Sequence, residues 1–313
     1  MGMMCEAIGE ADETPENLRS AEALLHTDVL IALFSLAGEP LYMNPAARSL
    51  FPFERSDIRD AFFNVEDIIA LEVNCRKNGK ARQVTKVKTT TGVSWLDFSA
   101  KICLDASTGD TAFLVTAVDV TELKTAKDKA RHLADRDQLT DCYNRTYMHQ
   151  FLENLSKNYN GEAVHHALAL IDIDRFKHMN DTYGHDVGDK ALIAFVDQMK
   201  ARIDNKGLIF RLGGDEFLIF LQDVGAPDQI GPKLESISKK VLVPLEFGSR
   251  NIEVALSVGV SILEASADTN WGEKIQQADI ALYHSKKSGR NQYTIYDDKL
   301  NADILERKWL EVE

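Results

Sequence analysis

The sequence predicts an α+β protein of two globular units, and three stretches carry that prediction. Between Val29 and Val118, short strand-forming segments alternate with turns. Ala167-Leu168-Ala169-Leu170-Ile171 is apolar at every position and closes on Asp172 and Asp174, as expected of a central strand covered on both faces. Leu208-Ile209-Phe210-Arg211-Leu212 and Phe217-Leu218-Ile219-Phe220-Leu221 flank Gly213-Gly214-Asp215-Glu216, the pattern of a β-hairpin with an acidic tip. A chain of 313 residues is long enough for about two domains.

Residues 1–19 open the chain with Glu6, Glu10, Asp12, Glu13 and Glu16, little apolar content and no basic residue through Leu18. Such a segment is expected to be a disordered acidic tail. Residues 20–119 form the first domain. Val29–Leu36, a turn at Ala37-Gly38-Glu39 and Pro40–Asn44 give strand, turn, strand, and Pro45–Phe51 opens a helix with proline in its first turn. Arg82–Lys88, Ser94–Ile102 and Ala112–Val118 are three further strands separated by turns at Thr91-Gly92 and Ser107–Asp110. Residues 120–136 form a helical linker, in which Leu123, Ala126, Ala130 and Leu133 make a short seam. That seam suits either pairing with a second copy or packing on its own domain, and its place between two domains favours a dimeric stalk. The second domain spans 137–298. In it Leu192, Phe195, Val196 and Met199 mark the core face of a helix after Asp189, and alternation from Ile252 to Ile262 marks a half-buried strand. A helix over Glu273–Lys287 faces Ile275, Ala278 and Leu282 inward, with Gly289 as its cap, and an amphipathic helix closes the chain over 299–313.

The composition is that of an ordinary globular protein, 44% hydrophobic and 27% charged. A formal charge of −13 argues against nucleic acid as a partner, since such binding rests on basic patches. Cys5, Cys75, Cys103 and Cys142 lack the spacing of a zinc site or a disulfide framework. Reduced thiols are expected, with Cys103 buried. No apolar run is long enough for membrane insertion, and a cytoplasmic protein is expected.

The glycine tip allows a bulky anion to approach the backbone. Two carboxylates beside it suit a divalent cation between them and that anion. Four motifs, and an entry segment ahead of them, then carry a family resemblance. Arg211-Leu212-Gly213-Gly214-Asp215-Glu216-Phe217 resembles the signature of the GGDEF family, diguanylate cyclases that condense two GTP into cyclic di-GMP. Asp172-Ile173-Asp174-Arg175-Phe176-Lys177 is similar to the family's D-[IV]-D-x-F-K, and Asn180–Asp189 to its N-D-x-x-G-H-x-x-G-D. Ala278–Tyr283 with Lys286 and Gly289-Arg290-Asn291 resembles A-D-x-A-L-Y-x-x-K-x-x-G-R-N, and Asp137–Arg145 resembles the entry D-x-L-T-G-L-x-N-R. In that entry Asp141 and Cys142 replace the usual Gly and Leu.

The resemblance implies metal ligation by Asp172, the Ile173 carbonyl, Asp215 and Glu216, for Mg²⁺ or Mn²⁺, two per active half-site. Asp215 and Glu216 are the implied catalytic pair, Glu216 serving the second ion or the hydroxyl proton. Phe176, Lys177, Asn180, His185, Asp189, Gly213, Gly214, Lys286 and Arg290 are the implied GTP-binding set. Asn180 and Asp189 fall on the guanine edge, whose N–H donors suit a carboxylate; helix N-capping is the alternative for Asp189. Lys286 and Arg290, one helical turn apart, suit phosphate oxygens. One GTP per domain implies a homodimer. The family's R-x-x-D product site has no counterpart in Arg202-Ile203-Asp204-Asn205-Lys206-Gly207, so weak product inhibition is expected.

The first domain is similar to PAS domains in element order and in Asp119-Val120-Thr121-Glu122 at its exit. This implies a regulatory unit that binds an unknown small-molecule signal or nothing. No cofactor is predicted: Asn74-Cys75-Arg76 lacks the context of a flavin-adduct cysteine, and His26 precedes the first strand. The competing function is a catalytically silent module that binds GTP or cyclic di-GMP and signals by contact.

Overall fold

A computed structural model describes residues 15–51, 61–159, 164–203, 207–225, 229–244 and 251–300. The chain divides into two compact units, Met1–Lys129 and Ala130–Glu313.

The first unit contains α1 (Pro15–His26), β1 (Leu30–Ser35), β2 (Pro40–Met43), α2 (Pro45–Leu50), α3 (Val65–Asn78), β3 (Lys80–Thr89), β4 (Gly92–Leu104) and β5 (Thr111–Asp119). Its five strands form one antiparallel sheet in the order β2-β1-β5-β4-β3. Leu30, Phe34, Phe62, Leu71, Leu96, Phe98 and Phe113 fill the core between the sheet and α2 and α3. The fully buried Asn44 caps α2: its Oδ1 accepts from the Ile31 and Ala47 amides and its Nδ2 donates to the Val29 carbonyl. The predicted turn at Gly92 has φ 128°, and Gly79 closes α3 at φ 74°.

Two expectations change here. Residues 15–19 are helical rather than disordered, because Pro15 starts a segment continued by Ala21, Ala23, Leu24 and Leu25, good helix formers. The rest of the predicted tail, 1–14, lies outside the described residues. Cys103 is only partly buried, whereas Cys75 and Cys142 are buried. Near its end β4 outruns the packing of the core, and Leu104 is 71% exposed.

The helix α4 (Thr121–Asp135) spans the boundary and buries none of its residues. Leu123 is 70% and Leu133 51% exposed, so the seam is not consumed by packing on the described part of its own domain. Among the described residues, no helix is long and apolar enough to cross a membrane.

The second unit continues with β6 (Tyr143–Asn144), α5 (Arg145–Lys157), β7 (His165–Ile173), α6 (Phe176–Tyr183), α7 (His185–Ile203), β8 (Gly207–Gly213) and β9 (Glu216–Leu221). It ends with α8 (Gly231–Ser238), β10 (Val241–Pro244), β11 (Asn251–Val254), β12 (Leu256–Glu264), α9 (Trp271–Lys287) and β13 (Gln292–Ile295). The main sheet has the order β13-β12-β7-β9-β8-β6, and β10 pairs with β11 apart from it. As its apolar run predicts, β7 is central, antiparallel to both β12 and β9. Ala167, Ala169 and Ile171 face a core shared with Phe195, Val196 and Met199 of α7. Leu168 and Leu170 face the other core, with Met148 and Leu152 of α5 and Ala278 and Leu282 of α9.

The strand expected to be half-buried over 252–262 is instead two strands, and β12 is buried along nearly its whole length. Its small residues face packed helix rather than water. A Cβ on Gly259 would lie 2.1 Å from both the Ala278 carbonyl oxygen and the Leu282 nitrogen, so only glycine lets α9 approach this closely. The helix expected after Asp189 begins earlier, at His185, because Gly184, at φ 85°, ends α6 and starts a new helix directly. Asp297 Oδ1 accepts the Leu300 amide at 3.0 Å, and the rest of the predicted closing helix, from 301, lies outside the described residues.

Candidate functional site

The site is built where β7 and the β8–β9 hairpin end. Asp172 of β7 lies directly opposite Glu216 of β9 in an antiparallel register, which sets two carboxylate residues on one sheet face. Gly213 (φ 153°) and Gly214 (φ 54°) turn the chain between the strands, and nothing approaches within 4 Å of where their side chains would be. The backbone at the tip is therefore open to a ligand. Asp215 lies next in the turn, its carbonyl accepting the Ile173 amide at 3.4 Å.

Burial raises the Asp172 carboxyl above the usual carboxylate range; the charges of Asp215 and Asp174 push the same way, and Lys286 opposes them. The Lys286 Nζ reaches across from the last turn of α9 to Asp172 Oδ2 at 2.6 Å. Sequence likeness assigns this lysine to phosphate and this carboxylate to metal, yet here they hold each other.

Asp174 stays on the side of Asp172, because Ser257, which its carboxylate meets, lies directly opposite Asp172 in the β7–β12 register. The strand ends at Ile173, and the Asp174 carboxylate accepts the Ser257 hydroxyl at 2.7 Å and the Asn291 amide at 3.0 Å. Arg290 Nε lies 3.8 Å away, and the carboxylate is only 4% exposed. Arg290 stands beyond α9 rather than one turn along it, with φ 65° followed by φ 50° at Asn291. Asp174 and Ser257 thus fasten the double left-handed turn that carries Arg290, a role that motif spacing does not reveal.

A second unassigned pair braces the tip. Arg211 donates through Nε and Nη2 to the Gly214 carbonyl at 3.0 and 2.8 Å, and through Nη1 to Asp137 Oδ1 at 2.9 Å. The same Asp137 oxygen accepts the Thr140 amide and hydroxyl. Burial alone would raise the Asp137 carboxyl, but the hydrogen bonds from Thr140 and Arg211 outweigh it and hold it below the usual range. A depressed folded value gives stability that is full above the ordinary carboxylate pKa and is lost as pH falls through the folded one. Asp137→Asn is expected to cost about 2 kcal/mol at pH 7 and less in acid, as checked by urea unfolding at both pH values. In the same turn Asp141, standing where the family has glycine, takes φ 55°. Aspartate tolerates that conformation, and the turn closes with the Asp141 amide on the Asp137 carbonyl at 2.9 Å.

The implied guanine residues lie on α6 and α7. Asn180 Oδ1 is buried and has no hydrogen-bond partner among the described residues. It sits over Gly188, whose Cβ, if present, would lie 1.9 Å from it. An orphaned buried acceptor is costly and calls for a donor. Asp189 is exposed in the second turn of α7, so it does not N-cap that helix. Phe176 packs partly buried against the core, while Lys177 and His185 are exposed, with no polar partner among the described residues.

Among the described residues, no three ligand-type side chains converge on one point. The donor set is nevertheless suited to a hard divalent cation, because Mg²⁺ commonly takes one or two carboxylates and completes its shell with substrate phosphates and water. Asp172, already burdened by the charges of Asp215 and Asp174, satisfies that requirement.

In the first unit an apolar cavity of about 20 Å³ is lined by Leu30, Phe34, Met43, Phe98 and Val115, among others. That is room for little more than a water.

Comparison with known proteins gives a consistent picture. A family profile described as "Diguanylate cyclase, GGDEF domain" matches residues 134–292. The probable diguanylate cyclase DgcC of Escherichia coli (strain K12) is 34% identical over 172 residues, 55% of this chain and 46% of that protein. The bifunctional diguanylate cyclase/cyclic di-GMP phosphodiesterase MucR of Pseudomonas aeruginosa is 30% identical over 192 residues, 61% of this chain and 28% of that one. The matched part is thus less than half the length of either relative. Among solved structures, the coiled coil and GGDEF domain of DgcB from Caulobacter crescentus in complex with c-di-GMP is similar at 25% identity and a TM-score of 0.51, over 56% of this chain and 93% of that one.

Proposed function

The chain belongs to the GGDEF family of diguanylate cyclase domains, and from that premise we propose that it condenses two GTP into cyclic di-GMP and two pyrophosphates. The observation that carries this reading is Asp172 set opposite Glu216 at the open glycine tip with the charges of Asp215 and Asp174 bearing on it, together with the orphaned Asn180 Oδ1. An adenine edge has no pair of donors for Asn180 and Asp189, whereas guanine N1–H and N2–H₂ supply them.

Asp172, the Ile173 carbonyl and Asp215 would hold divalent metal, with Glu216 holding a second ion or accepting the proton of the attacking 3′-hydroxyl. Bound there, Mg²⁺ or Mn²⁺ would neutralise the triphosphate and make the hydroxyl more acidic. Gly213 and Gly214 admit the phosphates to the backbone, and Lys286 and Arg290 bind their oxygens; Phe176, Lys177 and His185 complete the wall. The 3′-oxygen of one GTP attacks the α-phosphorus of the other, and pyrophosphate leaves. Each domain holds one GTP, so two copies must face each other, and the uncovered seam of α4 supports pairing through that helix. We propose that the first unit is a PAS-like domain that regulates this pairing, and that the chain acts in the cytoplasm. A silent binding module is the competing function; retention of Asp172, Asp215 and Glu216 favours the enzyme. Incubation of the purified chain with GTP and Mg²⁺ is expected to yield cyclic di-GMP by mass. GTP bound but unconverted would instead support the silent module.

A further inference from the structure

Lys286 and Asp172 are drawn to each other by their surroundings. Asp172 is 14% exposed and feels Asp215 and Asp174, while Lys286, 32% exposed, projects from the carboxyl end of α9. A cation is favoured at that end of a helix. At 2.6 Å the contact is a charge-assisted hydrogen bond shielded from most of the solvent. A divalent ion that coordinates Asp172 competes with this ammonium group for the carboxylate.

We propose that Lys286 is an internal counter-cation that couples metal loading to nucleotide binding. Without nucleotide, Lys286 competes for Asp172 and keeps metal affinity low. A triphosphate gives Lys286 another anionic partner, releases Asp172 and raises metal affinity; by linkage, metal raises nucleotide affinity by the same factor. This rests on the proposed assignment of Asp172 to metal and Lys286 to phosphate.

The test is a Mn²⁺ titration of the full chain without nucleotide, following free Mn²⁺ by its electron paramagnetic resonance signal. Lys286→Met is expected to bind Mn²⁺ about tenfold more tightly than wild type, the factor for removing one competing charge-assisted hydrogen bond. Its metal-free thermal midpoint should fall and recover with Mn²⁺. A non-hydrolysable GTP analogue should then enhance Mn²⁺ binding about tenfold less in the variant than in wild type. Lys286→Gln, which also removes the charge, carries the same expectation if the methionine variant does not fold. Equal or weaker Mn²⁺ affinity in both variants would overturn the proposal. Asp172→Asn separates the two levels: Mn²⁺ binding unchanged by Asp172→Asn means that the ion does not bind there, and the site assignment falls with the proposal. Binding lost in Asp172→Asn but not tightened in the lysine variants overturns the counter-cation alone.

Discussion

Asp215→Ala is expected to lower GTP turnover by about 10³-fold or more, because metal-assisted charge stabilisation is worth several kcal/mol. Asp215 is one of the carboxylates whose charge presses on Asp172, and it occupies the turn rather than the core. Its removal should therefore leave the thermal midpoint of the metal-free chain unchanged or slightly raised, since repulsion is relieved. The check is a steady-state rate paired with a melting curve. Activity within tenfold of wild type would remove Asp215 from the chemistry.

Gly188→Ala should act on substrate binding instead. A Cβ there would lie 1.9 Å from Asn180 Oδ1, 3.0 Å from Asn180 Cγ and 3.3 Å from Phe176 Cζ. The nearest obstacle is the end of a side chain, which can swing away at small cost to the fold. What it loses is the position of the buried acceptor that we propose meets guanine. The expected result is a ten- to hundredfold weaker affinity for a GTP analogue, from the loss of about 1–3 kcal/mol, with stability lowered by less than about 1 kcal/mol. Unchanged affinity, measured by calorimetry, would mean that Asn180 does not read the base.

The parts of this site legible in the sequence were those written locally. An unbroken apolar run ending in carboxylates is enough to call for a central strand with a charged end, and β7 is that strand. Gly213-Gly214 between two strand-forming runs is enough to call for the hairpin. The bonds that hold the site together were not legible, because they join distant residues. The strand stops at Ile173, yet Asp174 stays on the side of Asp172 through Ser257, which lies opposite Asp172, and the Asn291 amide that Asp174 receives comes from 117 residues away. Ser257, Gly259 and Ser261 resembled the water-facing half of an alternating strand. Their small size instead answers to α9, whose backbone Gly259 meets almost directly. The Lys286–Asp172 contact likewise joins a helix end to a strand end, and each residue's motif points to a ligand rather than to the other residue.

In the proposed active state, the carboxylates at the end of β7 and in the β8–β9 turn grip a cation beside a triphosphate whose base rests on Asn180. A crystal structure of the chain with Mg²⁺ and a non-hydrolysable GTP analogue addresses it most directly. The expected result is an ion on Asp172 and Asp215, Lys286 moved onto phosphate oxygen, and guanine N–H groups on Asn180 Oδ1 and Asp189. Nucleotide bound away from the glycine tip, with Lys286 still on Asp172, would contradict it.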